Sequence, residues 1–315
     1  MAFRLLFYIL ICSILFSCEK ENPISVDFTS YALSSSQDIN QIKIQNDSLI
    51  MSCGNRYSTG SVWISSAQNI SFDQRFNFNQ RLVDISYSSQ GFYFLPVGNS
   101  VIYSGDAFNF SDIYQNPGWE FFHSFIQVGI DSFVKVGGEN YGKGIIHQSF
   151  SNNLTVDTIS NELKQIIQLP NKSLLSCGYG VVLRSNDLAN SWSSLNLRGD
   201  FFTGLSFVDD NTGFVCGNFG SIYKTEDGGN QWKQLSAANT FFNDDKMWNK
   251  IHFIDKDRGL VIGNNGAVWI TKNGGKSWVP IQNLPRVNYY SLAFYQQDLF
   301  IGGSNGILLK ISGLF

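Results

Sequence analysis

Residues Thr212–Leu235 read TGFVCGNFGSIYKTEDGGNQWKQL, and Arg258–Ile281 read RGLVIGNNGAVWITKNGGKSWVPI. Aligned on their glycines, the two stretches share an apolar step onto Gly, then Asn, Gly, an apolar run, Thr, Gly-Gly and Trp. A unit that recurs within one chain marks a repeat architecture, and the length and content of the unit select which one.

The unit extends in both directions. An apolar run closes on Gly54, Gly98, Gly137, Gly178, Gly217, Gly263 and Gly302, spaced 39 to 46 residues apart. A second run follows each glycine and ends on Ser65, Ser104, Ser149, Ser185, Thr225 and Thr271, with Ile311 in the last copy. Alternation with one dependable apolar face is the pattern of a strand packed on a core. A further strand precedes each glycine run: Gln41–Gln45, Leu82–Tyr87, Ser124–Val128, Lys164–Leu169, Gly204–Val208, Lys250–Ile254 and Tyr290–Tyr295. With one more after the hydroxyl, each unit of roughly 40 residues holds four strands, which is a propeller blade. The expected fold is therefore all-β, a seven-bladed β-propeller of four-stranded blades. The seventh unit stops at Phe315 after its third strand, and an unpaired edge there is a liability. Ile24–Ala32 is a spare strand ahead of the first unit, and is expected to complete the last blade and close the ring.

The first residues carry a different signal. Arg4 precedes the twelve-residue apolar run Leu5–Phe16, which has the length of a secretory leader and is too short to span a bilayer. Leu15-Phe16-Ser17-Cys18 resembles the lipobox of bacterial lipoproteins. That resemblance implies a signal peptide over 1–17, lipidation at Cys18, a polar tether over 18–23 and a propeller over 24–315. It also implies anchoring in the bacterial cell envelope, at the outer membrane or cell surface, through the lipid alone. Net charge is −3, so no basic field attracts nucleic acid. Cys53, Cys177 and Cys216 are expected in one equivalent column of different blades, too far apart to pair.

Thr225-Glu226-Asp227-Gly228-Gly229-Asn230-Gln231-Trp232 and Thr271-Lys272-Asn273-Gly274-Gly275-Lys276-Ser277-Trp278 are two copies of one turn motif. Ser185-Asn186-Asp187 with Trp192 is a worn copy, and Ser104-Gly105-Asp106 keeps only its start. The Asp or Asn accepts turn N–H groups, the glycines supply positive φ, and the Trp folds back between blades. These residues resemble the Asp-box of BNR-repeat propellers. The wider repeat is similar to the photosystem II stability and assembly factor family, over the mature chain in outline and sharply over about 170 to 312. The resemblance implies a non-enzymatic, seven-bladed binding protein. Asp-boxes also occur in sialidases, so the motif specifies a turn and not an activity.

A ligand is expected at the channel mouth, on the face that carries the post-glycine loops and the connections between blades. The long loops Asn55–Gly60, Glu139–Lys143 and Ser236–Asn249 gather there. The connections carry aromatic pairs, Phe121-Phe122, Phe201-Phe202, Phe241-Phe242 and Tyr289-Tyr290, which either ring the mouth or pack between blades. Three also carry an arginine: Arg81, Arg198 and Arg286. The assembly-factor resemblance implies that arginines on one face bind a partner, and arginines can clamp a carboxylate bidentately. The partner expected is a protein or peptide, with a glycan on the aromatic platforms as the alternative. A sialidase-like hydrolase would need a paired Tyr and Glu that is not evident among Glu120, Glu139 and Glu162. His123, His147 and His252 lie in different units without metal-ligand spacing, and no phosphate loop precedes a helix, so no metal or cofactor is expected.

Overall fold

The computed structural model describes residues 22–315 apart from 57, 89, 99, 107–108, 115–120, 130–131, 151–152 and 237–246. Cys18 therefore lies outside the described residues. The strands form seven four-stranded antiparallel sheets, and six of them take their strands in chain order. These are the blades: 39–78, 82–114, 122–159, 163–194, 202–236, 248–280, and 289–312 with an added strand. That added strand is Phe28–Ala32, which runs antiparallel to the third strand of blade 7 from Phe28↔Ile311 to Ala32↔Ile307. The ring closes as the sequence leads one to expect. The segment before it does more. The Ile24 N–H donates to Pro280 O at 3.0 Å and its carbonyl accepts from Gln282 N–H at 3.0 Å, so the N-terminal stretch also stitches blade 6.

Apolar contacts between neighbouring sheets hold the ring together. The second strand of each blade is buried on both faces, as in Gly259–Gly263, whose five residues are all buried. This explains why these strands read as continuous apolar runs. Between blades 5 and 6 the Phe214 and Phe253 rings stack with centroids 3.4 Å apart, walled by Trp248 and Val261. The Asp-box tryptophans wedge into the same seams, Trp192, Trp232 and Trp278 each packing on the cluster shared with the preceding blade.

Three Asp-boxes have one hydrogen-bond pattern. Thr225 Oγ1 donates to Asp227 Oδ1 at 2.9 Å and accepts from Gly229 N–H at 2.7 Å, while Asp227 Oδ1 accepts from Gln231 N–H at 2.9 Å. Thr271, Asn273, Gly275 and Ser277 repeat this at 3.0, 2.9 and 2.9 Å. The worn box of blade 4 repeats it too, with Ser185, Asp187, Ala189 and Ser191 at 2.8, 2.8 and 2.9 Å. The motif is a turn clamp, and losing both glycines does not abolish it.

Pairing moves the repeat alignment in three blades. The residue opposite the start of the inner strand is Gly137, Gly178, Gly217 and Gly263 in blades 3 to 6, but Cys53, Pro96 and Gly303 in blades 1, 2 and 7. Cys177 and Cys216 therefore share a column, while Cys53 lies one residue further along its strand. All three are buried free thiols. Burial pushes every one of them up, Cys216 to about 12.

Candidate binding face at the channel mouth

Every inner strand carries a register shift at its second residue, between Ile39/Gln41, Leu82/Asp84, Phe122/Ser124, Leu163/Gln165, Phe202/Gly204, Trp248/Lys250 and Tyr289/Ser291. Such a bulge leaves one residue outside the ladder and re-aims its side chain. The residue before each bulge is a core anchor at most 1% exposed, and Phe122, Phe202, Trp248 and Tyr289 fill this role. The bulged residue itself stands at the mouth.

Three bulged residues serve the ring. Asn40, Thr203 and Asn249 donate to the carbonyls of Leu82, Trp248 and Tyr289 in the next blade, at 2.8, 2.7 and 2.9 Å. The bulges of blades 2, 3, 4 and 7 are Val83, His123, Lys164 and Tyr290, and these do not repeat that lock. In blades 3 and 4 the bulges meet a carboxylate instead. Lys164 Nζ lies 2.6 Å from Glu162 Oε1 and 3.1 Å from His123 Nε2, and His123 Nε2 is 3.0 Å from the same carboxylate oxygen. Glu162 Oε2 accepts Tyr141 N–H at 2.9 Å. Burial alone would raise the Glu162 pKa, but the hydrogen bonds from His123 and Lys164, with the Lys164 charge and Tyr141 N–H, bring it down to about 2. Burial lowers Lys164 and His123, and Arg81 acts on both in the same direction.

Arg81 joins this group from blade 2. It is half-buried, and its Nε is buried without a hydrogen-bond partner. Burial lowers its pKa and Asp38 offsets this, while Arg56 adds a further repulsion and Tyr290 faces the same site. Arg56 also repels Lys164. Arg56, Arg81 and Lys164 thus share one sector with two carboxylates, Glu162 and Asp38. Glu162 is already engaged by Lys164, His123 and Tyr141.

An aromatic platform adjoins the cations. Tyr141, Tyr179 and Phe201 meet pairwise at 5.2, 5.5 and 5.6 Å between ring centroids, and Lys164 Nζ lies 5.0 Å from the Phe201 centroid. Tyr141 is 57% exposed and Tyr179 42%. In blade 5, Asp200 accepts the N–H groups of Phe201, Phe219 and Ser221 at 2.6, 2.9 and 3.1 Å. That carboxylate shapes the loop that holds Phe219 out at 51% exposure.

The sequence-predicted residues divide accordingly. Phe121 is exposed and Phe201 buried within the platform, whereas Phe122, Phe202 and Tyr289 are inter-blade core. Tyr290 is the bulged residue of blade 7 and half-buried, so the Tyr pair sits one position out of step with the Phe pairs. Phe241 and Phe242 lie outside the described residues. Of the arginines, only Arg81 reaches the cluster. Arg198 and Arg286 are exposed on their connections, and neither is among the charges that act on Arg81. Arg56, Lys164, Tyr141, Tyr179 and Phe219 are not among the residues the sequence marks for the site, and His123 is weighed there only as a metal ligand. Arg56 and Tyr141 do sit in two of the long loops expected on this face. Among the described residues, no group of three His, Cys, Asp or Glu side chains is placed to hold a metal ion.

Residues 184–286 match the family described as Photosynthesis system II assembly factor YCF48. That stretch holds the Asp-boxes of blades 4, 5 and 6. Among solved structures, YCF48 from Cyanidioschyzon merolae superposes with a TM-score of 0.71 at 14% identity, covering 90% of this chain and 98% of that one. A structure described as YCF48 bound to D1 peptide gives 0.72 at 13% identity, covering 92% and 99%. Virginiamycin B lyase from Staphylococcus aureus, in selenomethionine-substituted form, gives 0.74 at 8% identity, covering 91% and 99%. Identities this low show a shared fold. A sequence search of curated proteins finds no match. The resemblance to the BNR-type assembly-factor propellers thus holds in a local sequence match and in the seven-bladed fold.

Proposed function

We propose that this propeller is a protein-binding assembly scaffold that grips an extended segment of a partner across one sector of its mouth. The observation that carries the proposal is the union of an exposed aromatic platform with a cluster of three cations, Arg56, Arg81 and Lys164, whose Glu162 carboxylate is already engaged. Arg81 is half-buried beside this platform with its Nε lacking a hydrogen-bond partner, and aromatic rings with an adjacent arginine are the usual anchors of a binding surface. The segment that fits carries carboxylates flanked by apolar side chains. A YCF48 propeller described as bound to D1 peptide supports a peptide as the class of ligand. The protein acts by binding, not turnover. Its location follows from the leader: Cys18 is the lipidated first residue, 18–23 the tether and 24–315 the propeller, held at the bacterial envelope. Among the described residues no helix is long and apolar enough to cross a membrane.

The test is fluorescence anisotropy with the full chain in detergent. The labelled peptides share an apolar core and differ only in acidic, neutral or basic flanks. The acidic set is expected to bind best and to weaken as salt rises. Tyr141→Ala with Tyr179→Ala, and separately Arg81→Ala, are expected to weaken it about tenfold or more. Arg198→Ala with Arg286→Ala is expected to leave it unchanged. Affinity blind to flanking charge and to the Tyr and Arg81 variants would overturn the proposal. Binding on a glycan array without peptide binding would move the function to carbohydrate recognition.

A further inference from the structure

The residue after each bulge lies one step deeper in the channel. At that level blade 2 supplies Asp84 and blade 6 supplies Lys250, and the other five blades supply uncharged residues. Asp84 accepts from Gln41 Nε2 at 2.8 Å, Ser124 Oγ at 2.7 Å, Phe125 N–H at 3.1 Å and Ile85 N–H at 2.9 Å. A carboxylate has about four acceptor positions, so Asp84 is full. Lys250 has no hydrogen bond or ion pair among the described residues. It is half-buried, and burial lowers its pKa, with Asp84 acting to raise it and Lys43 to lower it further. Lys43 is a second cation, from blade 1. His252, two residues along the strand from Lys250, is brought down to about 4 by burial and by Lys43, so it is neutral near pH 7 and supplies no negative charge. Lys250 is therefore acted on by one carboxylate that already holds four donors and by a second ammonium, Lys43. An enclosed ammonium without an acceptor is unfavourable unless an anion meets it.

We infer that Lys250 anchors a compact monovalent anion, a halide or a small carboxylate, inside the channel one step below the mouth. The site is separate from the peptide sector, because it draws on Lys250, Lys43 and Asp84 and on no residue of the Glu162 cluster. Chloride NMR line widths test it. The full chain is expected to broaden the chloride resonance, and Lys250→Met to remove most of that broadening, while Lys250→Arg keeps it. Added formate that narrows the line shows that carboxylates share the site, and formate without effect restricts it to halides. Equal broadening by wild type and a folded Lys250→Met variant overturns the inference. Should that variant not fold, bromide-soaked crystals of the unaltered chain decide: an anomalous peak beside Lys250 Nζ is expected, and its absence refutes the site. The Tyr141→Ala, Tyr179→Ala variant is expected to lose peptide and keep chloride, so the two proposals fail independently.

Discussion

Leu188 and Ala189 stand where the other Asp-boxes carry Gly228-Gly229 and Gly274-Gly275. All six residues are left-handed, with φ of 55° and 74° in blade 4 against 72°, 96°, 70° and 81°. A residue with a Cβ costs about 1–2 kcal/mol in that region, and glycine gives back about 0.4–1 kcal/mol through the entropy of its unfolded chain. Leu188 is 41% exposed and lies outside the seam cluster that holds Ala189, so its side chain contributes less burial than a core leucine. Leu188→Gly is therefore expected to stabilise the protein by about 0.5–1 kcal/mol. Ala189 is fully buried in the seam between blades 3 and 4. Its loss as a methyl, about 0.8 kcal/mol, offsets the relief of strain, and Ala189→Gly should be close to neutral. The reverse change confirms the sign. A Cβ at Gly228 would lie 3.0 Å from Asp210 O, so Gly228→Ala is expected to destabilise by about 1 kcal/mol. Thermal unfolding of the full chain reads these differences as shifts of about 1–2 °C for a ring of this size. A midpoint that falls in Leu188→Gly, or that is indifferent to Gly228→Ala, would show that left-handed strain does not govern these turns.

Two further outcomes follow from closure and from the mouth. Deleting residues 22–33 leaves the edge of Ile307–Ser312 open beside the fully buried Leu308, Leu309 and Ile311, so size-exclusion chromatography is expected to show self-association and thermal melts a broader transition. A monomer with an unchanged melt would mean that the added strand does not close the ring. Glu162 titrates about 2 when folded, below its ordinary range, so its stabilisation is complete above about pH 5 and lost as pH falls toward 2. Urea melts across that window should show wild type losing stability faster on acidification than Glu162→Gln, and parallel curves would refute the assignment.

Much of the fold was legible because its signals are local. Alternation recurs in every unit, the hydroxyl that ends the third strand in six of the seven and the Gly-Gly turn in two, and Ile24–Ala32 was identifiable as an orphan strand next to a last unit of three strands. The sequence was less informative wherever one strand had to be counted against another. The bulge is common to all seven inner strands, and what drifts is the glycine: Gly54 and Gly98 lie past the residue that opposes the start of the inner strand and Gly302 lies before it, which placed Cys53 in the wrong column. The same drift merged Tyr289-Tyr290 with the phenylalanine pairs, although the first tyrosine is core and the second faces the mouth.

By itself the sequence determined the architecture: seven units, four strands each, closed by the N-terminal strand, because burial and turn chemistry act over a few residues. Only the tertiary structure decided the site. Arg56, Arg81, His123, Glu162 and Lys164 come from four blades, and the bulges turn His123 and Lys164 toward one another while Asn40, Thr203 and Asn249 are consumed by backbone locks. Arg198 and Arg286 occur on equivalent connections and yet stay apart from Arg81. What gathers charge at one sector is ring geometry, which no spacing along the chain encodes.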